Sequence, residues 1–215
     1  MDFKKLRGHY TSIKDMREGK AKISYLMAKD GLVYENRINE LGLFVAKAKD
    51  VYDLDEWQEG FKLALPKIPN KLLSQIISLF KYFYTNFKTS KEIMAQIFWD
   101  REKQKYFVYV PVQKVSSISV NADRNLELEQ EHLLVLDIHS HPGRAFFSAT
   151  DNNDEKETRL YAVVGNLKGV PEILLRASCA GKYIHLFMSD IFENADLTGN
   201  VSFPSCWINR ASVQG

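Results

Sequence analysis

The stretch NKLLSQIISLFKYFYTNFK places Leu72, Leu73, Ile76, Ile77, Phe80, Phe83, Tyr84 and Phe87 at alternating three- and four-residue intervals, the spacing of one helix face. It predicts a helix over 70–88, with Asn70 as its cap and the prolines of PKIPN (Pro66, Pro69) barring helix before it. Such a helix is stable only where its apolar face is covered, so the rest of the fold must supply a matching surface. The aromatic residues in the stripe are read as core packing, not as the wall of a cofactor pocket, because helical spacing already explains them. With 215 residues, 45% hydrophobic and 12% aromatic, the chain can build that core as one medium domain or as a larger domain with a small module attached.

The flanking segments supply the covering surface. Residues 1 to about 22 read as a loose arm or short helix. ISYLMAKDGLVYENR folds back at Asp30-Gly31, a dipeptide suited to left-handed turns, and GLFVAKAKDVYDL continues as a third strand. Residues 1–66 are therefore expected to form a small β-rich N-terminal module. After the helix, EIMAQIFWD and KYFVYVPVQKV form a hairpin around the charged turn DREKQ. LLVLDIH is apolar enough for a central strand, DNNDEKETR reads as a polar helix, and LYAVVG, EILLRAS and KYIHLFM read as strands. The expected class is α/β (α+β): a mixed sheet flanked by helices over 67–190, with 191–215 as a C-terminal tail.

Composition excludes several functions. The formal net charge is +2, with Lys and Arg interspersed among Asp and Glu, so no dedicated nucleic-acid surface is expected. Two cysteines, Cys179 and Cys206, support neither a disulfide framework nor a four-cysteine metal site. No apolar run is long enough for a secretory signal or a membrane span, and the expected location is the cytoplasm.

The chemistry concentrates in VLDIHSHPGRAFFSATD, 135–151. Residues two apart in a strand share a face, so His139 and His141 can aim at one point while Ser140 faces away. Two neutral imidazoles make half of a tetrahedral zinc site, and Asp151, beyond the Pro142-Gly143 turn, can add a carboxylate and leave a fourth position for water. Hydrolysis then needs a base, which a carboxylate elsewhere in the fold can provide. Ser148 and Asp151 also match a helix capping pattern, which accounts for them but not for the histidines. Asp137, on the face of His139, is a candidate for orienting an imidazole, although a structural role is the commoner fate. His185 reads as a core or edge histidine.

HSHPGRAFFSATD resembles the signature of the JAMM (MPN-plus, or JAB) metalloproteases through His139, Ser140, His141, Pro142, Ser148 and Asp151. The runs AFFSATDNNDE, YAVVG and SYLMAKDGLVYENR are similar, more narrowly, to prokaryotic JAB proteins of the PRTRC-system protein A type. The resemblance implies a cytidine-deaminase-like mixed sheet and a Zn2+ ion held by His139, His141 and Asp151. It further implies that Glu92, after the long helix, activates the bound water and that Ser148 stabilises the oxyanion. The implied reaction is hydrolysis of an amide or isopeptide bond in a peptide or ubiquitin-like protein conjugate. The spacer PGRAFF is one residue shorter than the family pattern, which leaves Asp151 or Asp154 to reach the metal.

Two other readings compete. DIHSH also resembles the first strand of metal-dependent amidohydrolases, but too few residues follow His141 to complete a barrel of about 250 residues. A non-catalytic MPN-like interaction module has the same fold without the chemistry.

Overall fold

The computed structural model describes residues 7–51, 54–87, 91–116, 120–194 and 196–213. The first six residues of the expected arm, residues 52–53 of the third-strand segment, and Lys88 at the end of the expected helix lie outside them. The contact pattern divides the chain into two units, Met1–Gln58 and Glu59–Gly215.

In the first unit, the described part of the arm holds a strand, β1 (Arg7–Tyr10), and a short helix, α1 (Ile13–Glu18). Ser12 caps α1, its hydroxyl accepting from the Asp15 amide. Strands β2 (Ile23–Met27), β3 (Val33–Asn39) and β4 (Gly42–Lys47) complete a four-stranded sheet in the order β1-β2-β3-β4. The β2–β3 turn falls at Asp30-Gly31, with Gly31 at φ +79°, where a side chain is disfavoured. Met16 and Tyr25 are its buried apolar side chains.

The second unit is built on helix α2, Asn70–Thr85. Pro69, not Asn70, occupies the cap position. Its ring fixes φ at −58° and it lacks the amide a helix start leaves unpaired. The Glu193 carboxylate accepts from the Asn70 amide, and the Asn70 side chain donates to Ser74 and to the Asp196 carbonyl. At the other end the Thr85 hydroxyl and the Asn86 amide donate to the carbonyls of Lys81 and Tyr82, ending the helix before residue 88.

Strands β5 (Met94–Asp100) and β6 (Lys105–Tyr109) form the expected hairpin. Beyond them lie β7 (Gln113–Val115), β8 (Val120–Ala122) and helix α3 (Leu126–Glu131), which were not anticipated. Strand β9 (Leu133–Ser140) leads to helix α4 (Ala149–Asp154), followed by β10 (Leu160–Gly165), β11 (Glu172–Cys179) and β12 (Lys182–Leu186). The helix read over DNNDEKETR is shorter than expected and stops at Asp154, where Glu155 leaves the helical conformation and turns inward, buried. A short helix α5 (Met188–Ile191), a 3-10 turn (Ser205–Arg210) and β13 (Ala211–Val213) finish the unit. Within 191–215, Ile191 and Phe192 are fully buried, and β13 pairs with β7 in a small sheet ordered β13-β7-β8.

The main sheet has six strands in the order β12-β11-β10-β9-β5-β6, with β9 central and parallel to β10 while the other pairs are antiparallel. Register assigns the two faces. The rows Ala95–Ile138–Ala162–Leu175 and Ile97–Leu136–Leu160–Ala177 form one buried cluster with Leu73, Ile76, Ile77, Phe80 and Phe83 of α2. The alternate rows, Met94–His139–Val163–Leu174 and Gln96–Asp137–Tyr161–Arg176, point the other way. No helix among the described residues is long and apolar enough to cross a membrane.

Candidate metal centre

The polar face of the sheet carries the residues singled out by sequence. His139 lies in the last turn of β9, His141 just beyond it, and both are buried. Two backbone bonds fix that end of the strand: the His141 amide donates to the Val164 carbonyl, and the Ser140 amide to the Ile93 carbonyl. Ser140 faces away as expected, its hydroxyl accepting from the Ile93 amide at 3.1 Å. The imidazole Nε2 atoms of His139 and His141 stand 3.1 Å apart.

The loop 142–147 returns Asp151 to this point. Gly165 permits its path, because a Cβ there would lie 2.1 Å from the Ala145 amide nitrogen, and the Asn166 amide donates to the Gly143 carbonyl. Ser148 then caps α4 in a reciprocal box: its amide donates to Asp151 Oδ2 at 2.6 Å and its hydroxyl accepts from the Asp151 amide at 3.1 Å. The box leaves Asp151 Oδ1 free to lie 3.4 Å from His139 Nε2. Ligand atoms of His139, His141 and Asp151 all fall within 4.8 Å of one another, whereas Asp154 stays exposed at the cavity rim. The shortened spacer therefore still delivers Asp151.

Glu92 sits just before β5. Its amide donates to the Ser116 carbonyl, and the adjoining backbone of Met94 is clamped on both sides by the Gln113 side-chain amide. Glu92 Oε1 lies 4.0 Å from His141 Nε2. These groups line a cavity of about 500 Å³ with Met94, Phe146 and Glu155.

Burial governs the protonation of these groups. It lowers the pKa of both imidazoles, holding them in the neutral form that binds cations. It pushes the Glu92 carboxyl up to about 7, with the Asp151 charge adding to the effect. Two neutral imidazoles facing each other across 3.1 Å can place at most one proton on that line, and His141 Nδ1 is buried with no hydrogen-bond partner among the described residues. A cation shared by the two Nε2 atoms and Asp151 satisfies this donor set.

The remaining candidates lie elsewhere. Asp137 accepts from Gln96 and Arg159 at 2.8 and 3.2 Å, so it braces the sheet and makes no bond to an imidazole. His185 is exposed on the edge strand β12, His9 stacks on Tyr25, and Glu102 is exposed in the β5–β6 turn. The sequence reading missed Glu155, whose Oε1 lies 4.0 Å from His139 Nδ1, and Arg176, which holds its other oxygen. The available signal was a lone arginine inside the apolar strand EILLRAS, since a buried charge requires a partner.

Comparison with known families follows this geometry. Residues 87–177, from the end of the helix segment through β11, match the family described as prokaryotic homologs of the JAB domain. No curated protein matches the chain. The family accommodates both metal-dependent hydrolases and MPN-like modules, and the His139, His141 and Asp151 cluster fits the metal-binding signature. The segment 87–177, with its mixed sheet and its histidine pair at the end of the central strand, is a JAB domain of the prokaryotic kind.

Proposed function

We propose that the protein is a zinc-dependent hydrolase of amide or isopeptide bonds, acting on a peptide or a ubiquitin-like protein conjugate. The observation that carries this reading is the convergence of His139 Nε2, His141 Nε2 and Asp151 Oδ1 beside a buried glutamate. Two ligand atoms held tetrahedrally at ~2.0–2.1 Å from one zinc ion sit about 3.3 Å apart. The observed 3.1 and 3.4 Å separations match that spacing.

When bound, zinc supplies Lewis acidity at the scissile carbonyl. Glu92, with a carboxyl poised near 7, takes a proton from the attacking water at Oε1 and returns it to the leaving nitrogen. The Ser148 hydroxyl, which spends an acceptor site on the Asp151 amide, keeps its proton to donate to the oxyanion. The cavity's titratable lining is acidic, Glu92, Asp151, Asp154 and Glu155, which favours a substrate with a cationic amine leaving group. The narrower likeness to PRTRC-system protein A and a cytoplasmic location belong to the same proposal; the free, exposed cysteines accord with a reducing compartment.

The test measures zinc content together with cleavage of candidate ubiquitin-like conjugates. The expected result is about one zinc per chain, with Glu92→Gln keeping the metal and losing turnover by roughly 10²-fold or more. A purified protein without stoichiometric zinc, whose metal content His139→Ala leaves unchanged, sinks the reading. Zinc binding without turnover on any conjugate favours the interaction module.

A further inference from the structure

Arg176 is 2% exposed, and its guanidinium lies between the rings of Phe147 and Tyr183, at 3.7 and 3.9 Å from their centroids. Its nitrogens donate to Glu155 Oε2 at 2.9 and 2.5 Å and to Asn152 Oδ1 at 2.5 Å. A guanidinium so placed is fixed in position and always charged. It joins three parts of the site: Phe147 at the end of the spacer loop, Asn152 in α4, and Glu155 where α4 ends. Arg176 engages only one carboxylate oxygen of Glu155, and the other, Oε1, faces His139 Nδ1 across 4.0 Å.

The consequence for His139 is a choice of tautomer. A negative charge beside Nδ1 favours the proton on Nδ1 and leaves the Nε2 lone pair directed at His141 and Asp151. Without that charge the proton can move to Nε2, where it blocks metal binding. Asp137, the acid nearest to His139 along its own strand, is occupied by Gln96 and Arg159 and does not compete for this role.

We infer that Glu155, held by Arg176, is a positioning residue that fixes the tautomer and orientation of His139 for cation binding. Arg176 in turn is the strut that keeps the shortened spacer loop and the start of α4 in register with the histidine pair. This rests on the metal reading above but is separable from it, because the tautomer of the metal-free protein can be observed without any metal.

The experiment has two readouts. Nitrogen-15 NMR of the metal-free wild-type protein should show His139 protonated at Nδ1, and Glu155→Gln should shift the proton population towards Nε2. In competition titrations with zinc alone against a chelator, Glu155→Gln should weaken binding roughly 10–100-fold, and Glu155→Asp should recover part of the loss. Arg176→Lys, which keeps the charge but loses the fork and much of the stacking, should weaken zinc binding in the same direction. A purely structural role predicts a lower melting temperature in Glu155→Gln with an unchanged His139 tautomer and unchanged zinc affinity, and that result overturns the inference. If the wild type shows an Nε2-protonated His139, the inference also fails, with no variant required. If the wild type has the Nδ1 tautomer but binds no zinc, the metal reading fails while the positioning of His139 stands.

Discussion

The two faces of the six-stranded sheet are made by the same strands and differ in nearly everything else. The face under α2 buries Ala, Val, Ile and Leu against Phe80 and Phe83. The opposite face buries His139, Arg176 and Glu155 and half-buries Asp137 and Arg159. Apolar burial stabilises in proportion to area with little directional demand, so the first face can hold the fold without fixing any single atom. Buried polar groups are costly unless each has a partner, so the second face is organised by specific bonds. The comparison assigns stability chiefly to one face and binding to the other, a division that substitutions can break.

The largest effect should come from the polar face. His139→Ala removes one of three converging ligands and should abolish stoichiometric zinc and lower turnover by several orders of magnitude, read by metal analysis and a conjugate-cleavage assay. The metal-free protein should unfold at nearly the wild-type denaturant midpoint, because the lost imidazole packs on no α2 side chain. A collapse of metal-free stability would show that the site face also carries the fold.

The converse substitution is Phe80→Ala, on a side chain with 0% exposure. Removing a buried phenylalanine should cost about 3–5 kcal/mol of stability, seen as a lower midpoint in urea. The protein that remains folded should still bind about one zinc per chain. Loss of metal in the folded fraction would show that α2 packing is transmitted through the sheet to His139.

Gly165 tests the join between the faces. A Cβ there would meet the backbone of Ala145 and Arg144 at 2.1 and 2.3 Å, so Gly165→Ala must displace the loop that carries Ser148 and Asp151. The expected cost is about 1–3 kcal/mol of stability, and the displaced Asp151 should weaken zinc affinity by about tenfold or more, measured by chelator competition. Wild-type affinity would mean that the loop can shift without moving its ligand.

What could be read from the sequence follows the same division. The α2 stripe and the alternating or continuous apolar strands are local patterns, and each residue's face is set by its neighbours in sequence. HSHP and SATD were legible because strand period and capping geometry place those side chains locally. Strands β7, β8 and β13 were not legible, since QKV, VNA and ASV are too short to show alternation and β13 finds its partner about a hundred residues away. The end of α4 was misread for a related reason. DNNDEKETR has the polarity of a surface helix, but Glu155 leaves the helix to meet an arginine 21 residues further along. The misplaced cap at Asn70 shows propensity giving way to proline geometry.

The smallest effect separates two duties of one side chain. Ser148 caps α4 through its hydroxyl, which accepts from the Asp151 amide, while its own amide donates to the Asp151 carboxylate. Ser148→Ala keeps the second bond and loses the first, so stability should fall by about 1 kcal/mol. If capping is its only duty, turnover should fall no further than the zinc affinity does, because both would follow the looser α4. If the hydroxyl also donates to the oxyanion, kcat should drop by roughly 10²-fold with zinc affinity and KM nearly unchanged. Ser148→Thr restores a hydroxyl and a competent cap, and its recovery of kcat distinguishes a donated proton from a repaired helix start. A serine that lowers stability and kcat in strict proportion would leave Glu92 as the group on this face that acts on the substrate.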